Sequence, residues 1–585
     1  MREQWIGKKK WQFGLVLGAM LLLTICSGCI FGSKDDGKPH DGYYASVVMK
    51  PNGEFICRGK VSDSDAKAGG VYYKVEMDEK DKDKLKKITA VCRDEPVAVP
   101  WADSLHEESS YEFASVEVTE DNGYLNYAFK SDNNKPVEGF YDAASIRFKL
   151  GKDGQRECAY LYDLEGNNGV GAYDHTADKN ISLAQLLFTY DDDKRLTSIG
   201  WADKNGSRVV WGNGIYEIKL SYDDKNPELV AKMEVLGKSG GANSEGYGFA
   251  AKTFTYDEKG RITEIQHLAL DGKLSDKTGA RNLYLGGLEE LSAAKIIRQP
   301  SDLNWINGHL LEIRTGLPEG GAVTKYTYAK DSFVPETIGF YGKEGQAVGI
   351  EEMDGISSFR LTYDDAQNLQ ELAFFAIDGS AQPLKNGAAI WQFAYDDQGR
   401  LSEISACDGE GHLTALKTKD DKDSQIAKLQ MTYGDNGRIN GMSFVGVDDK
   451  PVSFPLYGVY NVYKLEIAYG DKGKRSYKYF DASDKEITVK PEAVLYGTWR
   501  YEDESNTTDL KFIFGENNTL SVTVKGMAPV PFKVKSHNLK PDGTGNISLE
   551  HGKMPEITED LYITVRSHDK INVKQFSSID LVRVQ

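Results

Sequence analysis

Residues 254–265 read FTYDEKGRITEI, and residues 393–404 read FAYDDQGRLSEI, so nearly the same pattern occurs twice in the chain. A third copy, at residues 361–372, reads LTYDDAQNLQEL. Weaker copies centre on Tyr190, Tyr222, Tyr328, Tyr433 and Tyr469. Successive tyrosines lie 32 to 38 residues apart, except for one interval of 72 residues that holds a degenerate copy near residues 284–297. A pattern that recurs in register over this length predicts an internal repeat, in which each copy is one supersecondary unit.

Each copy has the residue chemistry of a β-hairpin. Phe254 to Tyr256 favours a strand, and Asp257 to Gly260 favours a turn, because Asp bonds nearby backbone and Gly adopts a positive φ without strain. The chain then returns and reaches a second turn at Asp271-Gly272. Apolar residues in the returning stretch step by three, as at Ile262 and Ile265, where a regular strand steps by two. We therefore expect one β-bulge per unit, with a helical turn as the alternative.

A single hairpin cannot bury its apolar face alone, so stacked copies are expected to share a core. The sequence therefore predicts an all-β fold, with an extended array of antiparallel β-hairpin repeats at residues 181–490. Residues 42–180 match the same repeat pattern less closely and are expected to form a degenerate β-repeat region. The Asp that follows each Tyr is interpreted as a turn residue rather than a metal ligand.

The motif Tyr-Asp-x-x-Gly-Arg-Leu, found at residues 395–401, resembles the YD repeat of bacterial Rhs-type and related surface proteins. The resemblance covers residues of about 180–490 and, less clearly, 42–180. In the Rhs family, long arrays of this repeat form β-sheet shells around a toxin. This chain has far fewer units and no evident toxin segment at its C-terminus. The resemblance therefore implies the β-ribbon architecture rather than the encapsulating role.

The N-terminus reads as an export signal. Lys8 to Lys10 are positive, and residues 13–25 form an uncharged, mostly apolar stretch that is too short to span a membrane as a helix. Cys26-Ser27-Gly28-Cys29 follows and resembles the bacterial lipobox, although Cys26 stands where that family usually has Leu. The resemblance implies that residues 1–28 are a lipoprotein signal peptide and that Cys29 carries the lipid. Cys26 is the rival attachment site.

Cleavage before Cys29 would leave residues 29–41 as a flexible polar tether. The expected localisation is exported and lipid-anchored, at the cell membrane or the outer membrane, with palmitate among the acyl chains. An uncleaved anchor and an ordinary secreted protein are the alternatives. Removal of residues 1–28 takes away four positive charges and one negative charge, so the net charge falls from −18 to about −21.

Residues 491–585 change in character. Short runs with a period of two, such as Leu510/Phe512/Phe514, predict about eight short strands with one face inward. Eight antiparallel strands can close into a small barrel, so we expect an eight-stranded barrel or sandwich that is filled by side chains. Gly497-Thr498-Trp499 resembles the Gly-x-Trp opening of lipocalin-like domains, where the Trp closes one end of the barrel.

Composition excludes several function classes. The net charge of −18 argues against nucleic-acid binding, because phosphates would be repelled. The sequence contains no zinc-protease, nucleophile-elbow, phosphate-loop or dinucleotide motif, and its nine His residues have no metal-ligand spacing. We therefore expect no catalytic residue, no metal site and no cofactor. Trp201, Trp211 and Trp391 lie near turns and are candidates for stacking on a glycan, with core packing as the alternative.

These observations predict a membrane-anchored lipoprotein of the cell envelope that acts as a non-enzymatic binding scaffold built from β-repeats. The expected partners are the membrane, through the lipid anchor, and an unknown envelope protein or glycan. One alternative is an envelope enzyme that acts on wall polymers through an unrecognised carboxylate site. Another is an accessory part of a toxin or secretion system, which the repeat alone suggests.

Overall fold

The computed structural model describes residues 38–584 in part. The residues left out within that range are 69–70, 93, 102–110, 175–178, 213, 225–226, 228, 245–247, 278–319, 330–334, 350–354, 365–367, 385, 418–424, 436–437, 457–459, 470–474, 491–493, 502–509, 516–517, 525–527, 540–543, 553, 568–569 and 575–577. The described chain is almost entirely β, which confirms the all-β prediction. It forms a 26-stranded antiparallel sheet followed by a closed eight-stranded barrel.

The N-terminal part of the chain contributes the first strands of the sheet and four short accessory strands. They are β1 (Gly42–Met49), β2 (Phe55–Val61), β3 (Val71–Met77), β4 (Leu85–Cys92), β5 (Glu95–Pro96), β6 (Val99–Trp101), β7 (Tyr111–Phe113), β8 (Ser115–Asp121), β9 (Tyr124–Lys130), β10 (Ser145–Leu150), β11 (Arg156–Tyr162), β12 (Val170–Asp174) and β13 (Lys179–Leu183). A short helix, α1 (Asp63–Ala68), and a 3-10 turn at Phe140–Asp142 lie among them. β6 pairs with β7 and β12 pairs with β13, each as a two-stranded ribbon.

The repeat region continues the same sheet. Its strands are β14 (Gln185–Tyr190), β15 (Leu196–Ala202), β16 (Glu217–Tyr222), β17 (Val230–Leu236), β18 (Ala251–Tyr256), β19 (Ile262–Leu268), β20 (Val323–Thr327), β21 (Thr337–Tyr341), β22 (Ser358–Tyr363), β23 (Leu369–Phe375), β24 (Ile390–Tyr395), β25 (Leu401–Cys407), β26 (Lys428–Tyr433), β27 (Ile439–Val445), β30 (Lys464–Tyr469), β31 (Arg475–Phe480) and β32 (Glu486–Ile487), with the two-stranded ribbon β28 (Phe454–Leu456) and β29 (Tyr460–Val462) beside them. From β8 onward each strand of the sheet pairs with the next sheet strand along the chain. The first strands lie in the order β2, β1, β3, β4, β8.

The predicted bulge is present in each well-formed repeat. In β18–β19, Thr255 pairs with Glu264 and Tyr256 pairs with Ile262, so Thr263 is the extra residue. The same register shift occurs before Tyr190, Tyr222, Tyr363, Tyr395 and Tyr433. The bulge brings Ile262 and Ile265 to the same face of the sheet, which explains the three-residue step in the sequence.

The core lies along one face of the sheet and is covered by the unit connections. Strand residues such as Leu372 and Phe393 are buried together with Ile356, Leu384 and Leu416, which belong to the segments between hairpins. Each connection therefore packs on the apolar face of its own part of the sheet, and neighbouring units share one continuous core.

The sheet curls strongly. The rings of Phe55 on β2 and Tyr127 on β9 are 5.4 Å apart, although four strands separate β2 from β9 in the sheet. Farther along, a guanidinium nitrogen of Arg438 lies 3.3 Å from the carbonyl oxygen of Pro96 and 3.5 Å from the carboxylate of Asp132. Because residues 342 positions apart meet, the ribbon coils back to its own beginning.

The C-terminal strands form the barrel that the alternation predicted. They are β33 (Gly497–Tyr501), β34 (Lys511–Gly515), β35 (Thr519–Thr523), β36 (Val530–Leu539), β37 (Thr544–His551), β38 (Met554–Ser567), β39 (Lys570–Lys574) and β40 (Ser578–Arg583). β33 pairs with β40, which closes the barrel. Trp499 is fully buried at its start, and the guanidinium carbon of Arg583 lies 4.3 Å from the centre of its ring system. Buried apolar side chains such as Phe512, Ile563 and Leu581 belong to one cluster with the last repeats.

Candidate functional site

The repeat tyrosines form a ladder along the edge of the sheet that carries the Asp-to-Arg turns, which we call the first-turn edge. Seven of the eight Tyr hydroxyls donate a hydrogen bond to the carbonyl oxygen of the first residue of the return strand of the preceding hairpin. Tyr363 donates to Pro335, two residues before β21, at 3.2 Å. For Tyr256 the acceptor is Val230 at 2.7 Å, and for Tyr395 it is Leu369 at 2.8 Å. The same bond is made by Tyr190, Tyr222, Tyr328, Tyr433 and Tyr469. The tyrosines therefore connect successive units.

The Asp and Arg of the motif close the turn and contact the next unit. Asp257 accepts a hydrogen bond from the backbone N–H of Arg261 at 3.0 Å and one from its Nε at 2.6 Å. Burial opposes ionisation of Asp257, but these bonds outweigh it and hold its pKa below the ordinary value. The Arg261 guanidinium then stacks over the ring of Tyr328, 4.7 Å from its centre. This Asp is thus a turn residue, as the sequence analysis interpreted it.

The three tryptophans proposed for glycan stacking are core residues, and that prediction is wrong. Trp201 and Trp391 are at most 1% exposed, and Trp211 is 7% exposed. Trp201 and Trp211 stack on each other with ring centres 5.4 Å apart. The tryptophans stay buried although turns lie nearby, because the connection of each unit folds back over this face of the sheet. None of the three can offer a ring to a sugar.

Several predictions fall where the structure does not test them. Cys26, Cys29, the signal peptide and most of the tether lie outside the described residues. Within the described ranges, no group of three or more His, Cys, Asp or Glu side chains could hold a metal ion. None of the described helices has the length and apolarity needed to cross a membrane.

A groove of about 1610 Å³ lies between the β1–β2 hairpin and the ends of other hairpins at the first-turn edge. Its walls come from the residues before β1, from the β1–β2 hairpin, and from the first-turn ends of the hairpins β3–β4, β8–β9, β10–β11, β16–β17 and β18–β19. We call it the rim groove. Its volume exceeds the roughly 300–1,000 Å³ that is usual for a small-molecule site, so the groove suits an extended partner or a surface.

One wall of the rim groove is a fixed hydrogen-bond network. Tyr127 donates to the carbonyl oxygen of Gly53 at 2.7 Å and accepts from Arg156 at 3.1 Å. Another nitrogen of Arg156 lies 3.5 Å from the carboxylate of Glu54. Burial disfavours the charged form of Glu54, but Lys50 and Arg156 outweigh it, so the pKa of Glu54 is lowered. Burial raises the pKa of Tyr190 to about 12, so this tyrosine stays neutral at physiological pH.

The rim groove concentrates positive charge in an acidic chain. Seven Lys and Arg side chains line it against five Asp and Glu, whereas the whole chain carries 71 against 89. The basic lining residues are Lys38, Lys50, Lys82, Lys84, Lys86, Arg156 and Lys259. Leu85, Leu125, Leu150 and Leu229 are half-buried among them. The arrangement offers charge and apolar contact together.

Sequence reasoning missed the rim groove because its walls come from segments up to about 200 residues apart. The run of charged residues at 78–87 supplies much of the lining, but nothing in its local sequence indicates which other segments it meets. Sequence reasoning also missed a polar pair in the core, Lys252 and His267, which are buried on β18 and β19. An alignment of the repeat copies would have found this pair, because Trp391 and Ala406 stand at the same positions of a later unit.

Comparisons with known proteins give no family. No protein-family model matches the chain. No curated protein matches it. Similar solved structures include a chain in a structure titled TcdB2-TccC3-Cdc42, at 10% identity and a TM-score of 0.20, covering 90% of this chain and 29% of that one. A chain of the Photorhabdus luminescens Tc holotoxin pore has 10% identity and a TM-score of 0.20, covering 93% of this chain and 30% of that one. Pallilysin (Tp0751) of Treponema pallidum has 16% identity and a TM-score of 0.15, covering 16% of this chain and 84% of that one. This chain spans less than a third of the two Tc toxin chains, and none of these likenesses assigns it a function.

Proposed function

We propose that the chain is a lipid-anchored binding scaffold of the bacterial cell envelope that acts without catalysis. This proposal is supported by the contacts of the repeat's polar side chains, which hold the fold together. The recurrent Tyr, Asp and Arg side chains bond to backbone and to one another, so the motif builds a wall rather than a reactive site. The rim groove is then the surface that suits a partner, which we take to be an envelope component.

Capture of a partner from envelope extract tests the scaffold role. The mature chain from residue 29, with Cys29→Ser to prevent lipidation, is crosslinked to extract and compared with a variant in which Lys82, Lys84 and Lys86 are changed to Gln. We expect a partner that is captured by the first protein and lost with the second. Capture that is unchanged in the groove variant would contradict a role for the rim groove.

The lipid anchor needs a separate test, because Cys29 lies outside the described residues. Cells that express the full chain are labelled with palmitate, and the chain is then isolated from the membrane fraction. Cys29→Ser is expected to abolish labelling and release the chain from the membrane, whereas Cys26→Ser is expected to leave both unchanged. The reverse pattern would assign the lipid to Cys26.

An accessory role in a toxin or secretion system is the second candidate. The contact of Arg438 with Asp132 and Pro96 favours it, because a ribbon that coils back to its beginning can enclose a space. Neighbouring genes for a toxin and its immunity protein, together with co-purification of that toxin, would support this role. The remaining alternative, an envelope enzyme with a carboxylate site, would be established if the mature chain degraded purified wall polymer.

A further inference from the structure

We propose that the rim groove is the membrane-facing surface of the folded chain and that its cations contact anionic phospholipid headgroups. This inference rests on the proposed lipid anchor, since it names the partner of the rim groove in the anchored protein. In this orientation the end of the molecule that carries the rim groove faces the membrane.

The position of the tether is the first support. Lys38, Pro39 and His40 immediately precede β1, and all three line the rim groove. Only nine peptide units separate Cys29 from Lys38. At about 3.3–3.6 Å per residue the tether reaches no more than roughly 30 Å. A lipid on Cys29 would therefore hold the rim groove within that distance of the bilayer surface.

The distribution of charge is the second support. The chain as a whole is acidic, so an anionic membrane repels most of its surface. Lys82 and Lys84 stand on the exposed β3–β4 turn at the rim, where their side chains are 64% and 54% exposed, and Lys86 is an exposed residue of β4. Charges farther than about 8 Å from a headgroup are screened at physiological ionic strength, so the seven basic and five acidic side chains of the groove itself decide the interaction.

The acidic neighbours reduce this charge without removing it. Lys82 pairs with Asp41 at 2.9 Å, and Lys84 pairs with Glu120 at 2.8 Å. Exposed pairs of this kind are weak, and their lysines keep donors that can reach a phosphate. The half-buried leucines beside them, including Leu85 and Leu125, suit the apolar side of the headgroup region.

Vesicle co-sedimentation tests the proposal without the anchor. The probe is the mature chain from residue 29 with Cys29→Ser, mixed with vesicles of phosphatidylcholine alone or with about one-third phosphatidylglycerol. We expect binding to the anionic vesicles only, and binding that weakens as salt is raised. A lysine near an anionic surface contributes about fivefold in affinity, so changing Lys82, Lys84 and Lys86 to Gln should weaken binding by about tenfold or more.

A matched control removes the same charge elsewhere. Lys204, Lys238 and Lys485 are exposed on second turns at the opposite ends of the hairpins, and their change to Gln should leave vesicle binding unchanged. Acetylation of lysines on vesicle-bound protein, read by mass spectrometry, gives an independent measurement. The groove lysines should be protected, and the three control lysines should react as in free protein.

Three results would overturn the proposal. They are equal binding to both vesicle types, equal loss in the groove and control variants, and protection of the control lysines alone. Binding of soluble polyglutamate as tight as that of anionic vesicles would instead assign the rim groove to an acidic polymer. Absence of palmitate labelling would contradict the lipid anchor but would not affect vesicle binding, which is measured on a chain without the lipid. Failure of the anchor and failure of headgroup binding can therefore be told apart.

Discussion

The hairpins β18–β19 and β24–β25 share register, first turn and bulge, yet their buried faces differ in chemistry. In β24–β25 the cross-strand pair on that face is Trp391 opposite Ala406. In β18–β19 the same pair is Lys252 opposite His267. All four side chains are buried. The repeat motif therefore determines the turn and the edge of each unit, whereas the buried face is free to vary as long as its volume is filled.

The polar pair lies in a confined apolar setting. The Lys252 ammonium is 5.0 Å from the centre of the Phe249 ring, and the same ring meets His267 edge-on at 4.9 Å. Nδ1 of His267 is buried and has no hydrogen-bond partner in the described part of the chain. Burial lowers the pKa of His267 well below its ordinary value, and the charge of Lys252 adds to the effect. This hairpin is therefore expected to be the less stable of the two.

Truncation of Trp391 should produce the largest effect. Trp391→Ala empties a fully buried position and is expected to lower the free energy of unfolding by about 3–5 kcal/mol. The measurement is the midpoint of urea unfolding, followed by far-ultraviolet circular dichroism because that backbone signal does not depend on tryptophan fluorescence. Gln392→Ala, on the exposed face of the same strand, should change the stability by less than about 0.5 kcal/mol. Equal effects of the two variants would contradict the placement of the core.

A smaller change is expected at the matching position of the other hairpin. Lys252→Met keeps the length of the side chain and fills the same buried space, so the free energy of unfolding should change by less than about 1.5 kcal/mol. The same urea titration measures it. Lys232→Met, on the polar face of the neighbouring strand β17, is the control and should be nearly neutral. A strong loss of stability in Lys252→Met would show that this lysine supports the fold.

The pH dependence of stability should separate the two hairpins as well. His267 is neutral when folded and takes up a proton when unfolded below its ordinary pKa of 6.5. Its contribution to stability is therefore complete above pH 6.5 and is lost as the pH falls below that value. The loss approaches about 1.4 kcal/mol per pH unit.

The variant His267→Val isolates this contribution, because Val235 occupies the matching position of the preceding hairpin. Urea titrations between pH 7.5 and pH 5 should show a shallower decline for the variant than for the wild type. Parallel curves would mean that His267 is already protonated, or is exposed, in the folded chain.

The hairpins could be predicted from the sequence because their signals are local. Gly260 and Gly399 take the positive φ that their turns require, at 76° and 70°, and the step from Ile262 to Ile265 reports the bulge directly. The alternation of apolar residues after Trp499 likewise predicted the barrel strands. Each of these features depends on residues only a few positions apart.

The coil, the rim groove and the buried tryptophans could not be predicted in this way. The contact between Arg438 and Pro96 joins distant parts of the chain, and no local pattern records it. Trp211 is buried because a connection folds over the sheet, and the sequence near it reads only as a turn. The Lys252 and His267 pair is an exception, since comparison between copies would have revealed it.

The tyrosine ladder should contribute equally to both hairpins, which is the smallest of the expected effects. Tyr256→Phe and Tyr395→Phe each remove a hydroxyl that donates to a backbone carbonyl, at 2.7 and 2.8 Å. Each should lower the free energy of unfolding by about 1 kcal/mol, because the ring stays packed and only the hydrogen bond is lost. Tyr562→Phe, on an exposed barrel residue, is the control and should be neutral. The first-turn edge is common to the two units and the buried face is not. Equal losses in the two tyrosine variants, beside unequal changes in Trp391→Ala and Lys252→Met, would therefore locate the difference between the hairpins in the core alone. Unequal losses would mean that the polar pair also alters how β18 meets its neighbour.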